Sequence, residues 1–397
     1  MMDLEQALQT PFCPMPWLHL HVSYHGRAQA CCNAVIPFGN INDNSLTEIL
    51  DGESIRNFRK KMLALQPDNR CSTCYRREET GQESDRTETL RKFAEKLPEI
   101  FDKTQPDGST DIKPAYLDIR FSNLCNLRCR TCWHGYSSSW YDEAKQLKRT
   151  ASDSAVIHNI ENTELFISQL EKTGIVPEEI FFAGGEPLIS EGHSLLINWL
   201  LEKCFTKTRL RYNTNLSTLE FRKKSFIPLW KQFKNVSIGA SLDASGTRGE
   251  YIRKGLDWDR ALRNREVLKR ELPLADFFIA PTVSVLNMAQ LPAFHLDWFE
   301  RGLIGINDIK LNTLERPFHF NIKSLRPKDK VRCAKIWRQH IEKIRTIEGI
   351  NDSTLQSFEA CINFMEKENL DRYATKFDQE TKKLDEMRNE RFSDLPD

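Results

Sequence analysis

The middle of the chain alternates short apolar runs with amphipathic stretches. Alternating or continuous apolar positions predict strands at 115–121, 179–183, 208–214, 235–241, 276–285 and 308–314. Helical spacing falls between them, at 161–172, 192–204, 219–233, 258–271 and 290–301. Strands alternating with helices predict an α/β chain with a parallel sheet and right-handed crossovers. The first 80 residues read differently. Residues 18–24 and 27–31 form two predicted strands joined by a turn at His25-Gly26. Such a hairpin returns Cys31 and Cys32 to the end where it began, close to Cys13. Phe38-Gly39-Asn40-Ile41 reads as a turn, and Ser45 with Glu48 has capping-box spacing that starts a helix. A second helix is expected at 55–65. Residues 76–105 are highly charged and read as a connecting helix with a loop after Pro98. Beyond residue 320, 327–347 and 353–367 have helical spacing. Residues 376–397 mix both charges with few apolar positions and read as a frayed helix or a disordered tail. The expected division is a cysteine-rich module (1–80), a linker (81–110), a strand–helix region (111–320) and C-terminal helices with a charged tail (321–397).

Composition narrows the class. Hydrophobic residues make up 40% of the 397 and charged residues 28%, as in a soluble globular chain. No apolar run is long enough to span a membrane, and the first residues lack the basic and apolar regions of a signal peptide. Both point to the cytoplasm. The formal net charge of +1 provides no basic field for nucleic acid or a membrane surface. No P-loop or dinucleotide-binding fingerprint is present. The eleven cysteines are many for a cytosolic chain, and eight fall within the first 132 residues. In a reducing compartment, such clustering points to metal or catalysis rather than disulfides. Cys204, Cys333 and Cys361 stand alone and read as small buried hydrophobes.

The densest chemistry follows the first strand of the strand–helix region. Cys125, Cys129 and Cys132 are spaced Cys-x3-Cys-x2-Cys on one short loop. Three thiolates can hold three corners of a 4Fe-4S cube and leave one iron free for a small chelating molecule. A structural zinc site needs four ligands, and this loop offers three. The spacing resembles the signature of the radical S-adenosylmethionine (radical SAM) enzymes. That resemblance implies a partial (β/α)6 barrel, TIM-like, over 111–320. It implies SAM bound through its methionine part at the open iron, reductive cleavage of SAM, and hydrogen abstraction by a 5′-deoxyadenosyl radical. It makes Cys125, Cys129 and Cys132 the catalytic cluster ligands, and it implies an electron donor such as a flavodoxin or ferredoxin. One position departs from the family: Thr131 stands where an aromatic residue usually precedes the third cysteine, and Trp133 follows it. His134 reads as a local hydrogen-bonding residue.

The N-terminal segment resembles the twitch module, a shorter relative of the SPASM domain, in a small α+β frame of hairpin plus helices. The matching pieces are Cys13-x-x-Pro16-Trp17, the Gly26 turn, Cys31-Cys32, Gly39-Asn40 and Cys71-x2-Cys74. The resemblance implies one auxiliary 4Fe-4S cluster held by Cys13, Cys32, Cys71 and Cys74, with Cys31 the rival for the second place. Adjacent strand residues point to opposite faces, so one of that pair ligates. The same four thiolates could hold zinc. In the family this module usually follows the barrel; here it precedes it. His19 and His21 share a strand face and read as solvent-facing or satisfied side chains.

Other expected contacts lie where barrel folds place their sites, at strand C-termini. Ala183-Gly184-Gly185-Glu186-Pro187 resembles the GGE turn that holds the methionine amine of SAM, so Gly184, Gly185 and Glu186 are expected cofactor contacts. By resemblance Asn215 and Ser241 lie near the SAM carboxylate and ribose, with Asp243 close by, although all three also suit turns and helix caps. Arg253 could clamp a carboxylate bidentately, and Asn287 is a candidate for the adenine side. The expected substrate is a peptide or protein side chain. The alternatives are a small metabolite, an RNA, which the balanced charge disfavours, or, in another class, a cysteine-rich zinc-binding interaction protein.

Overall fold

A computed structural model of the chain describes residues 2–79, 81 and 83–395. The boundary expected at residue 80 and the last two residues of the tail fall outside them. The chain forms two compact units. The first comprises Met1–Leu124, Val156–Tyr212 and Pro228–Val236, and the second Cys125–Ala155, Asn213–Ile227 and Ser237–Asp397.

The first unit is built on β1 (His19–Val22), β2 (Arg27–Gln29), β3 (Pro37–Asn40), β4 (Tyr116–Ile119), β5 (Glu179–Phe182) and β6 (Arg209–Thr214), ordered β3–β2–β1–β4–β5–β6. β1 and β2 form the expected antiparallel hairpin, with His21 opposite Gln29. Its turn needs Gly26 at φ 75, where an added Cβ would lie 2.4 Å from Asn42 Nδ2. The segment expected to be a turn at Phe38–Ile41 instead supplies β3, which pairs antiparallel with β2 and sets Gly39 opposite Ala28. From β1 onward the sheet is parallel, with His19 beside Tyr116, Tyr116 beside Glu179 and Glu179 beside Arg209. The N-terminal hairpin therefore shares one sheet with the first strands of the 111–320 region.

That register gives the parallel strands two unlike faces. Leu20, Leu117, Ile119, Ile180, Phe182, Leu210 and Tyr212 share the apolar face and are all buried. On the other face stand His19, His21, Asp118 and Glu179, each at most 3% exposed, together with Tyr116 and Arg211. Parallel strands covered on both sides usually read as continuous apolar runs; here the second covered side is ionic. Its charges are paired. His21 Nδ1 lies 2.8 Å from Asp118 Oδ2, Arg211 is 3.0 Å from Glu88, and Lys92 meets Glu179. Glu88 and Lys92 belong to the helix Asp85–Lys92. The charged connector thus contains two helices, Asp85–Lys92 and Leu97–Lys103, with Pro98 in the first turn of the second, where a missing N–H costs nothing. The helix Leu46–Asp51 opens with the expected capping box: Ser45 accepts from the Glu48 amide, and Glu48 accepts from the Ser45 amide at 2.8 Å.

The second unit holds β7 (Glu220–Phe221), β8 (Lys224–Ser225), β9 (Asn235–Ala240), β10 (Asp276–Ile279), β11 (Thr282–Val283) and β12 (Asn312–Thr313). The helix expected over 219–233 is a tight hairpin instead, followed by the short helix Ile227–Trp230. Arg222 and Lys223 turn it with φ 48 and 65, without a glycine to announce it. The run at 276–285 divides into β10 and β11 around Pro281, which lacks the N–H a continuous ladder needs. β9 pairs β10, and β11 pairs β12, both parallel. Helices Trp258–Glu271, Leu291–Glu300, Pro327–Arg345 and Asp352–Glu366 lie where helical spacing put them. Of the two readings of the charged tail, helix or disorder, the structure has the helix, Ala374–Arg388. Phe377, with Phe392 and Leu395, packs on buried Tyr251, Ile252, Leu286 and Phe320. Among the described residues, no helix is long and apolar enough to cross a membrane.

Candidate functional site

The Cys125–Cys132 loop is braced by its own neighbours in the second unit. Ser138 Oγ lies 3.2 Å from the Cys125 amide and accepts from it, and Ser139 Oγ donates to the Cys125 carbonyl at 2.7 Å. Ser137 donates to Leu127 O, and Trp140 Nε1 donates to Cys129 O at 2.9 Å. The sequence signal of this Ser-Ser-Ser-Trp run is slight, three hydroxyls at the start of a helical stretch. His134 is a local hydrogen-bonding residue, as expected: Nδ1 accepts from the Ala151 amide and Nε2 lies 3.0 Å from Ala155 O. Trp133 is 47% exposed and meets Tyr136 edge-on.

A second brace comes from residues 252–254. Arg128 N donates to Lys254 O at 2.9 Å, and Arg130 N donates to Ile252 O at 2.7 Å. This antiparallel bracket sets Cys129 opposite Arg253. Arg253 is buried; its Nε and Nη2 each lie 2.9 Å from an Asp243 carboxylate oxygen, and Nη1 lies 3.8 Å from Cys129 Sγ. The fork expected to hold a ligand carboxylate is thus filled by this chain's own Asp243. Burial raises the Cys129 thiol, while the neighbouring guanidinium pulls it down. Asp243 also accepts from Thr282 N at 2.8 Å, and its carbonyl accepts from Asn287 Nδ2 at 3.0 Å. Asn287 Oδ1 accepts from Ser284 N. Asp243 and Asn287 therefore tie the loops after β9 and β11 together. Asn215 Nδ2 reaches Asn126 Oδ1 at 2.9 Å and lies 4.0 Å from Cys125 Sγ, so this residue does stand at the loop. Ser241 is half-buried, its amide donating to Thr214 O.

The C-terminal helix closes the back of the same loop. Buried Arg130 reaches Asp385 at 2.6 Å and Glu390 at 2.7 Å and lies 3.6 Å over the Tyr251 ring. Arg388 holds Glu143 and donates to Arg128 O at 2.9 Å. These pairs could not be read from spacing, since more than 240 positions separate their members.

In the first unit, Gly184 and Gly185 adopt φ 77 and 54. A Cβ on Gly185 would lie 2.3 Å from Leu124 O, and the Glu186 amide donates to that same carbonyl at 2.8 Å. Only glycine lets the turn approach so closely. The Glu186 side chain is buried and accepts from Leu188 N.

The N-terminal cysteines separate into two groups. Cys13 shares its surroundings with Cys71 and Cys74, and Cys31 with Cys13 and Cys74. Burial pushes the Cys71 thiol up to about 11. Cys31 and Cys74 are buried, whereas Cys32 is exposed and 3.5 Å from Asp85 Oδ2, with Asp118 and Arg120 as its other charged neighbours. Of the adjacent pair, Cys31 therefore joins Cys13, Cys71 and Cys74, and the expected ligand Cys32 faces the ionic side of the sheet. Arg86 fixes this arrangement: it donates to Thr10 O at 2.8 Å and Phe12 O at 3.0 Å, just before Cys13, and pairs with Glu78 after Cys74.

Both cysteine sets suit iron–sulfur clusters. Every candidate ligand is a thiol, and sulfurs of the Cys125 loop already meet N–H donors, from Leu127 N to Cys125 at 3.5 Å and from Arg253 to Cys129. Among the described residues, no three His, Cys, Asp or Glu side chains converge tightly enough to hold one metal ion; a cube instead spreads its thiolates over separate irons.

Residues 13–75 match the SPASM iron–sulfur cluster-binding domain. No curated protein matches the chain. Among solved structures it is similar to native anSMEcpe with bound AdoMet, at 18% identity and TM-score 0.41 over 58% of this chain and 61% of that one. It is similar to anSMEcpe with bound AdoMet and Cp18Cys peptide, at 18% identity and TM-score 0.40 over 58% and 60%. It is also similar to SuiB of Streptococcus suis bound to S-adenosylmethionine, at 15% identity and TM-score 0.39 over 72% and 62%. The chain spans about three-fifths of the length of these proteins.

Proposed function

We propose that this chain, whose residues 13–75 are a SPASM-type iron–sulfur module, is a radical SAM enzyme that cleaves S-adenosylmethionine to begin hydrogen abstraction from a substrate. The observation that carries the reading is the Cys125 loop: three cysteines, their backbone held from both sides by Ser137–Trp140 and by residues 252–254. When bound there, a 4Fe-4S cluster supplies the electron that breaks a C–S bond of SAM. The chain's own residues do the rest. Cys125, Cys129 and Cys132 hold the cluster. The Gly184-Gly185-Glu186 turn offers backbone groups for the methionine amine, and Asn215 and Ser241 offer polar groups for the remainder of SAM. Cys13, Cys31, Cys71 and Cys74 hold the auxiliary cluster, with Cys31 taking the place expected for Cys32. A flavodoxin or ferredoxin delivers the electron.

The finer reading is a peptide or protein side chain as substrate. It follows from the SPASM-type module, which in the resembled family often accompanies peptide modification.

The test is the triple variant Cys125→Ala/Cys129→Ala/Cys132→Ala in the anaerobically reconstituted full chain. Iron falls from about eight to about four atoms per chain if both sites are cubes, and 5′-deoxyadenosine production with dithionite stops. Undiminished 5′-deoxyadenosine from the variant refutes the assignment. Deuterium passing into 5′-deoxyadenosine from a labelled metabolite, and from no labelled peptide, refutes the finer reading.

A further inference from the structure

We propose that Arg253 is a positioning residue that sets the reduction potential of the cluster at the Cys125 loop, by fixing a permanent positive charge and an N–H donor against the sulfur of Cys129. This rests on the functional reading above, which makes Cys129 a cluster ligand.

The placement is over-determined. The hydrogen bonds Arg128 N to Lys254 O and Arg130 N to Ile252 O lie on either side of Cys129 and leave Arg253 directly opposite it. Asp243 takes Nε and Nη2, both at 2.9 Å, and so turns the third nitrogen, Nη1, toward Cys129 Sγ at 3.8 Å. A guanidinium is planar, so two occupied corners fix the third. Asp243 cannot swing away. It is fully buried, its carboxylate accepts from Thr282 N, and its own carbonyl is held by Asn287.

The chemistry follows from charge. Reduction adds one electron to a cluster whose thiolates already carry negative charge. A buried cation beside one of those sulfurs favours the reduced form, and hydrogen bonds to sulfur act in the same direction. Asp243 supplies the opposing charge, but it lies on the far side of the guanidinium from the sulfur. Two roles for Arg253 are thereby separated. A carboxylate clamp for SAM would need the fork that Asp243 occupies; a charge beside sulfur needs only the corner that remains.

The test is an anaerobic redox titration of the reconstituted full-length protein with dithionite, followed by electron paramagnetic resonance. The signal that changes on adding SAM and disappears in Cys129→Ala belongs to this loop. Arg253→Gln is expected to lower its potential by at least tenfold in the reduction equilibrium, about 59 mV for a one-electron couple. Arg253→Lys keeps the charge, loses the fork and is expected to fall between, so it carries the comparison if the glutamine variant does not take up iron. The exposed Arg263→Gln is expected to leave the potential unchanged. An unaltered potential in Arg253→Gln or Arg253→Lys, with iron at the wild-type level, overturns the proposal. A wild-type protein with no SAM-responsive signal overturns the functional reading itself, which is a different result.

Discussion

Arg388, near the end of the described chain, closes on Glu143, 245 positions earlier, with Nε 3.1 and 3.2 Å from its two oxygens and Nη2 2.7 Å from one of them. The arginine side chain is 0% exposed and the glutamate 8%. Removing the whole of a buried carboxylate's cationic partner costs about 3–5 kcal/mol. Arg128 Nε also lies 3.3 Å from Glu143, so Arg388→Leu is expected to lose about 2–3 kcal/mol in urea unfolding, at or below the low end of that range. Glu143→Leu with Arg388→Leu should lose clearly less, since no charge is then left unpaired. Equal losses in the single and double variants would mean that the contact is packing alone.

Gly185→Ala is expected to destabilise the protein by about 1–2 kcal/mol from the left-handed backbone alone, before any clash with Leu124 O. Because the Glu186 amide bonds that same carbonyl, the residue just before Cys125 must shift. A urea midpoint equal to wild type would show that the close approach is not required.

Cys31→Ala and Cys32→Ala separate two adjacent thiols. The first is expected to lower bound iron by about four atoms per chain, and the second to leave iron at the wild-type level. The opposite pattern would place Cys32 in the auxiliary site. Iron analysis with visible absorbance reads the difference directly.

His295 and His340 form a buried pair, Nδ1 to Nε2 at 3.0 Å, with His295 Nε2 facing Ile306 O at 3.1 Å. Burial lowers His295 to about 4 and His340 to about 3. In the unfolded chain histidine titrates near 6.5, so the unfolded state binds protons first as the pH falls. The stability these residues contribute is complete above pH 6.5 and declines toward pH 4. Between pH 7 and 5 the loss through His295 is about 2 kcal/mol. His295→Gln keeps an amide donor for Ile306 O and removes one titrating group. It should therefore lose about 2 kcal/mol less than wild type over that interval. Parallel slopes of stability against pH would contradict the assignment.

Legibility in the sequence followed distance along the chain. The Cys125 loop, the Gly184-Gly185-Glu186 turn and the Ser45–Glu48 cap are local: spacing located the cap, and a family resemblance marked the other two. The 219–233 segment misled because its apolar positions fit a helix, while the turn at Arg222-Lys223 uses positive φ without glycine. The tail was legible only as a choice between helix and disorder. Its helix is held by Asp385, Arg388 and Glu390 against Arg130 and Glu143, and charges in a sequence do not reveal their partners. Cys31 and Cys32 are neighbours in sequence, and only their surroundings distinguish them: Cys13 and Cys74 around the first, Asp85 beside the second. Of the two readings of His19 and His21, satisfied holds and solvent-facing does not: both are buried, His21 pairs with Asp118, and His19 Nδ1 lies 2.7 Å from Ala30 O, on a covered face that alternation normally assigns to solvent.

That two-faced sheet also governs how the chain can be threaded. Side chains alternate with a period of two, so pairing β4 one residue out of step reverses every side chain in it. Asp118 would then lie beneath the apolar layer without His21 or Arg120, and Leu117 and Ile119 would sit among charges. Each misplaced charge is penalised heavily, because it has neither water nor a counter-ion. An all-apolar strand would tolerate such a slip with little loss. Here each strand's own charges rule out its alternative registers, so the pairing is specified strand by strand.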